Sequence, residues 1–427
     1  MDEQRFDMYR RYMPDMKMDY VYYYDTTDDE DLLKRNPGLS LEALARKRAF
    51  VEGMDFLKIL SPAQIKKRVD LSPEKYHLVR QLQYGERSTF LRFYDDMMQY
   101  ASEEEITAAL ERLVDPMGVP RIGFLTGNEE RSNFKAGDAD YKTVTNELGF
   151  RHSLINQGFD VDTVSFSGAG PGAASASDSA SGGGVPGSWT ALVIADPKIA
   201  FTPAELAEVR RGIEAGRNLL ITGEPGRQEV LNPLLRELGI SLATGRLVGR
   251  SADFGPDFVL AGVGSGADGL GSAGGSVGGG PGFKALRQAG AVISMPGVAA
   301  LHHDSLFGMG FTARPVLVRD TATVALALTR KIGEREQRIM VVGDADFMST
   351  AEMSRHAPRT GNFDFITDVF SWLNDGRYPV DTGRPKTGDV LNMGRDAVLL
   401  VRVVFFGALP LLLILGGTIL LVSRKRR

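Results

Sequence analysis

TALVIADPKIAFTPAELAEVRRGIEAGRNLLIT, residues 190–222, decides the fold. Its first apolar run, residues 191–195, is a strand closed by Asp196 and Pro197. Thr202, Pro203 and Glu205 then stand at the N-cap, N1 and N3 positions of a helix. A second apolar run follows at 218–222. Continuous apolar strands separated by an amphipathic helix require a parallel sheet whose two faces are both covered.

The same rhythm extends in both directions. Upstream, residues 122–126 form a strand closed by Gly127, residues 141–157 carry helical periodicity ending at Gly158, and 161–166 is the next strand. Downstream, a helix is expected over 230–238 with Gly239 past its end. Later strands are expected at 291–294, 324–328 and 338–342, and a closing helix at 363–373. The fold class is α/β over residues 121–376: a mostly parallel sheet with helices on both faces, resembling the flavodoxin or class I amidotransferase layout. Residues 1–116 read as a small α+β region. It has a β-rich run at 20–24, a helix within 39–56, and two strands, 76–84 and 88–94, turning at Gly85. Ser102 and Glu105 form a capping box ahead of a helix that runs to Pro116.

Composition excludes several chemistries. The 427 residues contain 50 Lys and Arg against 54 Asp and Glu, a net charge of −4, and no basic patch or basic domain of the kind phosphate binding uses, so nucleic acid is not the expected main partner. With no Cys there are no disulfides, thiolate metal sites or cysteine nucleophiles. Gly is abundant at 49, and two tracts, 168–187 and 262–282, are poor in apolar residues and read as flexible surface insertions.

Residues 403–422 (VVFFGALPLLLILGGTILLV) carry no charge and would span about 30 Å as a helix, the thickness of a bilayer core. They are expected to form a single transmembrane helix, after a juxtamembrane linker at 377–402 and before a basic tail at 423–427. The tail favours a cytoplasmic C-terminus, placing the body outside the cytoplasm at the cell membrane. The first fifteen residues, MDEQRFDMYRRYMPD, lack the apolar core of a signal peptide. Either a membrane segment precedes them in the natural chain, or the protein is tail-anchored with a cytoplasmic body.

Ligands of open α/β sheets bind beyond the carboxyl ends of the strands. The residues there are Gly127, Asn128 and Glu129, then Asp196, then Glu224, then Gly343, Asp344, Asp346 and Phe347. Asn128, Glu129, Asp196, Glu224, Asp344 and Asp346 are the candidate ligand-binding set. Four carboxylates in one crevice are able to hold Mg²⁺ or accept a phosphoryl group. The favoured reading is that each caps or turns into the following helix, because no Lys, His or Ser in these turns completes a reaction constellation. No catalytic residue, metal or cofactor is therefore assigned. Gly264, Gly266 and Gly269 fit G-x-G-x-x-G, and Gly274, Ser276 and Gly278 fit G-x-S-x-G, but neither triplet lies between a strand and a helix. His302, His303 and Asp304 lack a third spaced ligand.

RIGFLTGNEE (121–130), the stretch 190–222, LNPLLRELGI (231–240), RIMVVGDADFMS (338–349) and the apolar span with its RKRR tail together resemble the gliding-motility ABC transporter auxiliary family, the GldG-like proteins. YVYYYD and STFLRFYDD resemble members in which this body is fused to an ABC-2 permease. The resemblance implies a non-catalytic, membrane-anchored scaffold subunit of a gliding or export transporter, with a permease and a separate ATPase as partners and an amidotransferase-like core. The alternatives are a metal-dependent hydrolase or phosphatase using the strand-end carboxylates, and a sugar or peptide binding module.

Overall fold

The computed structural model describes residues 6, 9–25, 31–96, 99–166, 189–249, 254–270, 282–304, 309–355, 358–380, 402–411, 413 and 424. Residues 1–382 form one compact unit and 383–427 another.

The first unit begins with small elements. Strand β1 (Tyr22–Tyr23) pairs in parallel with β2 (Ile59–Leu60). Between them lies helix α1 (Leu41–Val51), capped by Ser40 Oγ, which accepts from the Ala43 amide at 3.1 Å. Helix α2 (Pro62–Arg68) follows, then the hairpin of β3 (Val79–Tyr84) and β4 (Arg87–Arg92). Helix α3 (Glu103–Val114) has the capping box expected of Ser102 and Glu105.

A nine-stranded sheet organises the rest. Its strands are β5 (Arg121–Leu125), β6 (Asp160–Val164), β7 (Ala191–Ala195), β8 (Asn218–Thr222), β10 (Phe258–Val263), β11 (Val292–Pro296), β13 (Thr312–Arg319), β14 (Ala322–Ile332) and β15 (Arg335–Val342). β9 (Ile240–Leu242) and β12 (Leu301–His303) pair separately, antiparallel. The sheet order is 11-10-13-14-15-8-7-5-6. Pairings from β15 through to β6 are parallel, and those from β11 through to β15 are antiparallel.

This corrects the mostly parallel sheet expected from sequence: the sheet is mixed. The physical cause is connection length. Only Asp320 and Thr321 join β13 to β14, and only Gly333 and Glu334 join β14 to β15. A two-residue link closes an antiparallel hairpin, whereas a parallel pair needs a crossover of a dozen residues or more.

Alternate residues of the apolar strands serve two cores. Ala191, Val193 and Ala195 face one, with Phe365, Val369 and Phe370 of helix α7 (Asn362–Leu373). Leu192 and Ile194 face the other, with Val209 and Ile213 of helix α4 (Pro203–Glu214) and Leu231 and Leu235 of α5 (Gln228–Leu235). A strand that feeds both cores has no polar face, which explains its unbroken hydrophobicity.

Two further expectations change. The helix expected over 141–157 is confined to Lys142–Thr145. Beyond it the Asn156 side-chain amide donates to the carbonyls of Glu147, Leu148 and Phe150, so a side chain satisfies groups that a helix would have paired internally. The second glycine tract, read as a flexible insertion, is ordered in its first part. Gly262 and Val263 end β10, and Ser265–Gly269 form a 3₁₀ turn whose Ala267 is buried in the core. Gly266 lies against the next strand so closely that a Cβ there would sit 2.2 Å from the Pro315 carbonyl oxygen. Close backbone approach, not phosphate binding, accounts for this glycine. Residues 167–188 and 271–281, which hold the rest of the tracts, lie outside the described residues.

No helix among the described residues is long and apolar enough to cross a membrane. This corrects the transmembrane helix expected at 403–422, and with it the cell-membrane location and the membrane, transport and gliding roles attached to it. The described part of that stretch winds as a π-helix over Val403–Ala408 and continues as helix through Leu409, Pro410 and Leu411. Residues 414–423 lie outside the described residues.

One carboxylate in this packing sets a pH dependence. Asp368 on α7 is buried; its Oδ1 accepts from the Gly282 amide at 3.0 Å ahead of helix α6 (Phe283–Gln288), and its Oδ2 has no partner. Burial, followed by the neighbouring charge of Asp364 and only partly offset by the Gly282 hydrogen bond, pushes its pKa up to about 7. A folded-state pKa above the unfolded value means that the protonated group stabilises at low pH, and that this stabilisation is lost as pH rises through about 7. The advantage of Asp368→Asn over the parent should therefore grow by about 3 kcal/mol between pH 5 and pH 8. Urea melts at the two pH values check this; an advantage that is the same at both would refute it.

Candidate functional site

The carboxyl ends of the four neighbouring parallel strands β15, β8, β7 and β5 meet at one place. Each strand ends in a turn that must satisfy its own backbone. After β7, Asp196 adopts a left-handed backbone (φ 49°), and its amide donates to the Thr222 carbonyl at 3.0 Å. After β15, Gly343 runs so close to Ala299 that a Cβ would lie 2.1 Å from its carbonyl oxygen. Asp344 Oδ1 then accepts from the Phe347 amide at 2.9 Å, closing the turn ahead of a 3₁₀ segment at Asp346–Met348.

Arg131, from the loop after β5, fills the centre. Its amide donates to the Ala195 carbonyl at 2.9 Å, tying that loop to the end of β7. Its guanidinium donates through Nη2 to Glu224 Oε1 at 3.0 Å, through Nη1 to Asp346 and, at 3.0 Å, to the Ala139 carbonyl, and through Nε towards Asp196 Oδ2 at 3.5 Å. A second cation, Arg227, donates to the other Asp196 oxygen at 3.0 Å. Glu224 Oε1 also accepts from the Ala345 amide at 2.8 Å. Beneath lies Tyr141, fully buried, whose hydroxyl donates to the Ala345 carbonyl at 2.7 Å and whose ring lies 5.8 Å from the Arg131 guanidinium carbon.

Of the six sequence candidates, the structure brings Asp196, Glu224 and Asp346 onto Arg131, with Asp344 alongside. Asn128 is buried close by but acts through its backbone. Its carbonyl accepts from the Lys198 and Ile199 amides at 2.9 and 3.2 Å, and its amide donates to Glu130. Glu129 is exposed, with φ 56°, and takes no part in the network. Sequence reasoning missed both arginines. Arg131 is the first cation after the strand-end NEE, opposite four carboxylates that required one, and that was the available signal.

Burial governs the protonation states. It raises the Asp344 carboxyl well above the usual carboxylate range, reinforced by the nearby Glu224 and Asp346 charges. Its Oδ2 has no hydrogen-bond partner. Glu224 is pushed up to about 7 by burial and by Asp346, against the pull of Arg131. Burial also raises Asp196, and Arg131 and Arg227 draw it back.

Chemically the arrangement is closed. A metal needs carboxylate oxygens that converge on a vacant point, whereas here both Asp196 oxygens, Glu224 Oε1, Asp344 Oδ1 and one Asp346 oxygen are turned onto guanidinium and backbone donors. Among the described residues no group of three or more carboxylate or imidazole side chains is placed to hold a metal ion. Adjacent His302 and His303 lie exposed on β12.

No family model matches the chain, and no curated protein matches it. Among solved structures the chain is similar to the N-terminal domain of mmIFT52, at 16% identity and a TM-score of 0.40, over 63% of this chain and 99% of that one.

Proposed function

We propose that the chain is a non-catalytic auxiliary subunit, a scaffold that acts by holding other proteins and not by turnover. The observation that carries this reading is the position of Arg131. At the place where an open α/β sheet presents its chemistry, this chain puts a guanidinium that bonds three carboxylates and a carbonyl.

Hydrolysis of p-nitrophenyl phosphate and p-nitrophenyl acetate, with Mn²⁺ present, tests it on the purified chain. The expected result is no turnover above the buffer rate. Saturable turnover abolished by Asp346→Asn would replace the scaffold with a hydrolase.

A further inference from the structure

The nine-stranded sheet ends in two edge strands, β11 and β6, and an edge strand carries backbone amides and carbonyls that no neighbouring strand takes. On β11 the Val292 carbonyl accepts from the Gly361 amide at 2.9 Å, on the side away from β10, so Val292, Ser294 and Pro296 are the residues whose backbone faces outward. The Ser294 amide donates to Asn362 Oδ1 at 2.9 Å, and the Ser294 carbonyl accepts from Asn362 Nδ2 at 3.0 Å. A carboxamide has the donor and the acceptor of one peptide unit, so Asn362 stands where a residue of a tenth strand would stand. Pro296 has no amide hydrogen to offer.

The surroundings hold Asn362 in place. It is buried in the first turn of α7, and the same Nδ2 donates to the Phe347 carbonyl at 2.8 Å. The Ser294 hydroxyl donates to Asn362 Oδ1 at 3.0 Å and to the buried Glu352. Glu352 takes Arg355 Nε at 2.8 Å on its other oxygen, and the Arg355 guanidinium carbon lies 4.9 Å from the ring centre of Phe258 in β10. At the opposite edge, the Val164 carbonyl accepts from the Thr126 amide and the Asp160 amide donates to the Pro120 carbonyl, so these residues of β6 face β5 and Thr163 faces outward. The Thr163 amide donates to Asp162 Oδ1 at 3.1 Å. That carboxylate occupies the outward donor and puts a charge on the edge, two ways in which edge strands resist pairing.

We propose that Asn362 and Asp162 are edge guards, and that they keep the sheet of one copy of this chain from extending into the sheet of another. A second copy is the strand donor always at hand, because it presents the same β6 or β11 edge, and two identical edges pair antiparallel across a two-fold axis. The β6 sequence would otherwise invite this, since Val161, Thr163 and Val164 are residues that favour strands. The guards lie apart from the Arg131 cluster and stand or fall independently of the function proposed there.

Sedimentation velocity of the full chain at concentrations up to ~200 μM tests the proposal. Asp162→Val and Asn362→Ala should each self-associate at least about tenfold more tightly than the parent. Two controls separate edge pairing from a general loss of structure. Adding Thr163→Pro to Asp162→Val removes the outward donor and should return the chain to the parent's behaviour. Asn374→Ala deletes another buried amide of α7's end, one that donates to the Phe370 and Tyr378 carbonyls at 2.7 and 3.1 Å and bonds to neither edge strand, and it should sediment as the parent does. Asp162 is only half-buried, so its variant carries the test even where loss of the Asn362 bonds unfolds the chain. An Asp162→Val chain that sediments as the parent does would overturn the proposal. So would a folded Asn362→Ala chain that does the same, an Asp162→Val dimer that survives Thr163→Pro, or an Asn374→Ala chain that associates as tightly as Asn362→Ala.

Discussion

Replacing Arg131 with Ala should destabilise the protein by about 4 kcal/mol at pH 8, the largest loss expected of a single substitution at the strand ends. Arg131 has a 7% exposed side chain, and removing it strands Asp196 and Glu224, 3% and 16% exposed, with Asp346 beside them. Breaking a buried ion network from one side leaves uncompensated charge, which costs more than the intact network contributes. The sign with pH follows. Without the guanidinium, the folded-state pKa values of Asp196 and Glu224 rise further above their unfolded values, so protonation restores stability as pH falls. The deficit should shrink to about 2 kcal/mol at pH 5. Arg131→Lys, which keeps the charge but loses the fork, should fall between parent and Ala. Urea midpoints at both pH values decide: a deficit below about 1 kcal/mol at pH 8, or one that grows towards pH 5, contradicts the network described here.

A second large effect is expected at Arg151, which ties the N-terminal elements to the α/β body. It donates through Nη1 to Glu105 of α3 at 2.7 and 2.8 Å, through Nε to Asp96 at 2.5 Å, and through Nη2 to Asp96 at 3.1 Å and the Tyr100 carbonyl at 2.9 Å. Its guanidinium carbon lies 4.3 Å from the Tyr94 ring centre. Burial raises the Glu105 carboxyl, and Arg151 is the main force holding it down. Arg151→Ala should cost about 3 kcal/mol, concentrated in the N-terminal elements. Their small core of Leu91, Tyr94, Ala101, Ile106 and Ala109 would open first. Hydrogen exchange should show faster exchange in β3, β4 and α3 while β7 and β8 stay protected. Uniform loss across the sheet would mean that the two regions unfold as one.

Much of the parallel half of the fold was legible because its strands are short, apolar and punctuated. β5, β7 and β8 lie within a residue or so of the runs that announced them, and Thr202, Pro203 and Glu205 cap α4 as their chemistry dictates. The antiparallel half was misread because β10 and β13 carry Gly, Pro and Arg among their apolar residues and so break the pattern, while the two-residue links were passed over. Strand-end carboxylates were located by the rule that open sheets present their ends. Their partner was not, because a cation six residues beyond a strand has no periodic signature, and only the topology brings it back over β7, β8 and β15.

The most direct test of a crevice closed by its own arginine is calorimetric titration of the full chain with Mg²⁺ and Mn²⁺, alongside Asp344→Asn and Asp346→Asn. With both carboxylate oxygens of Asp196 and Glu224 Oε1 already accepting from protein donors, no heat of specific binding should appear below ~1 mM in any of the three. Micromolar binding by the parent that disappears in both Asn variants would mean that Arg131 yields its place to a metal, and the scaffold would have to be abandoned for an enzyme.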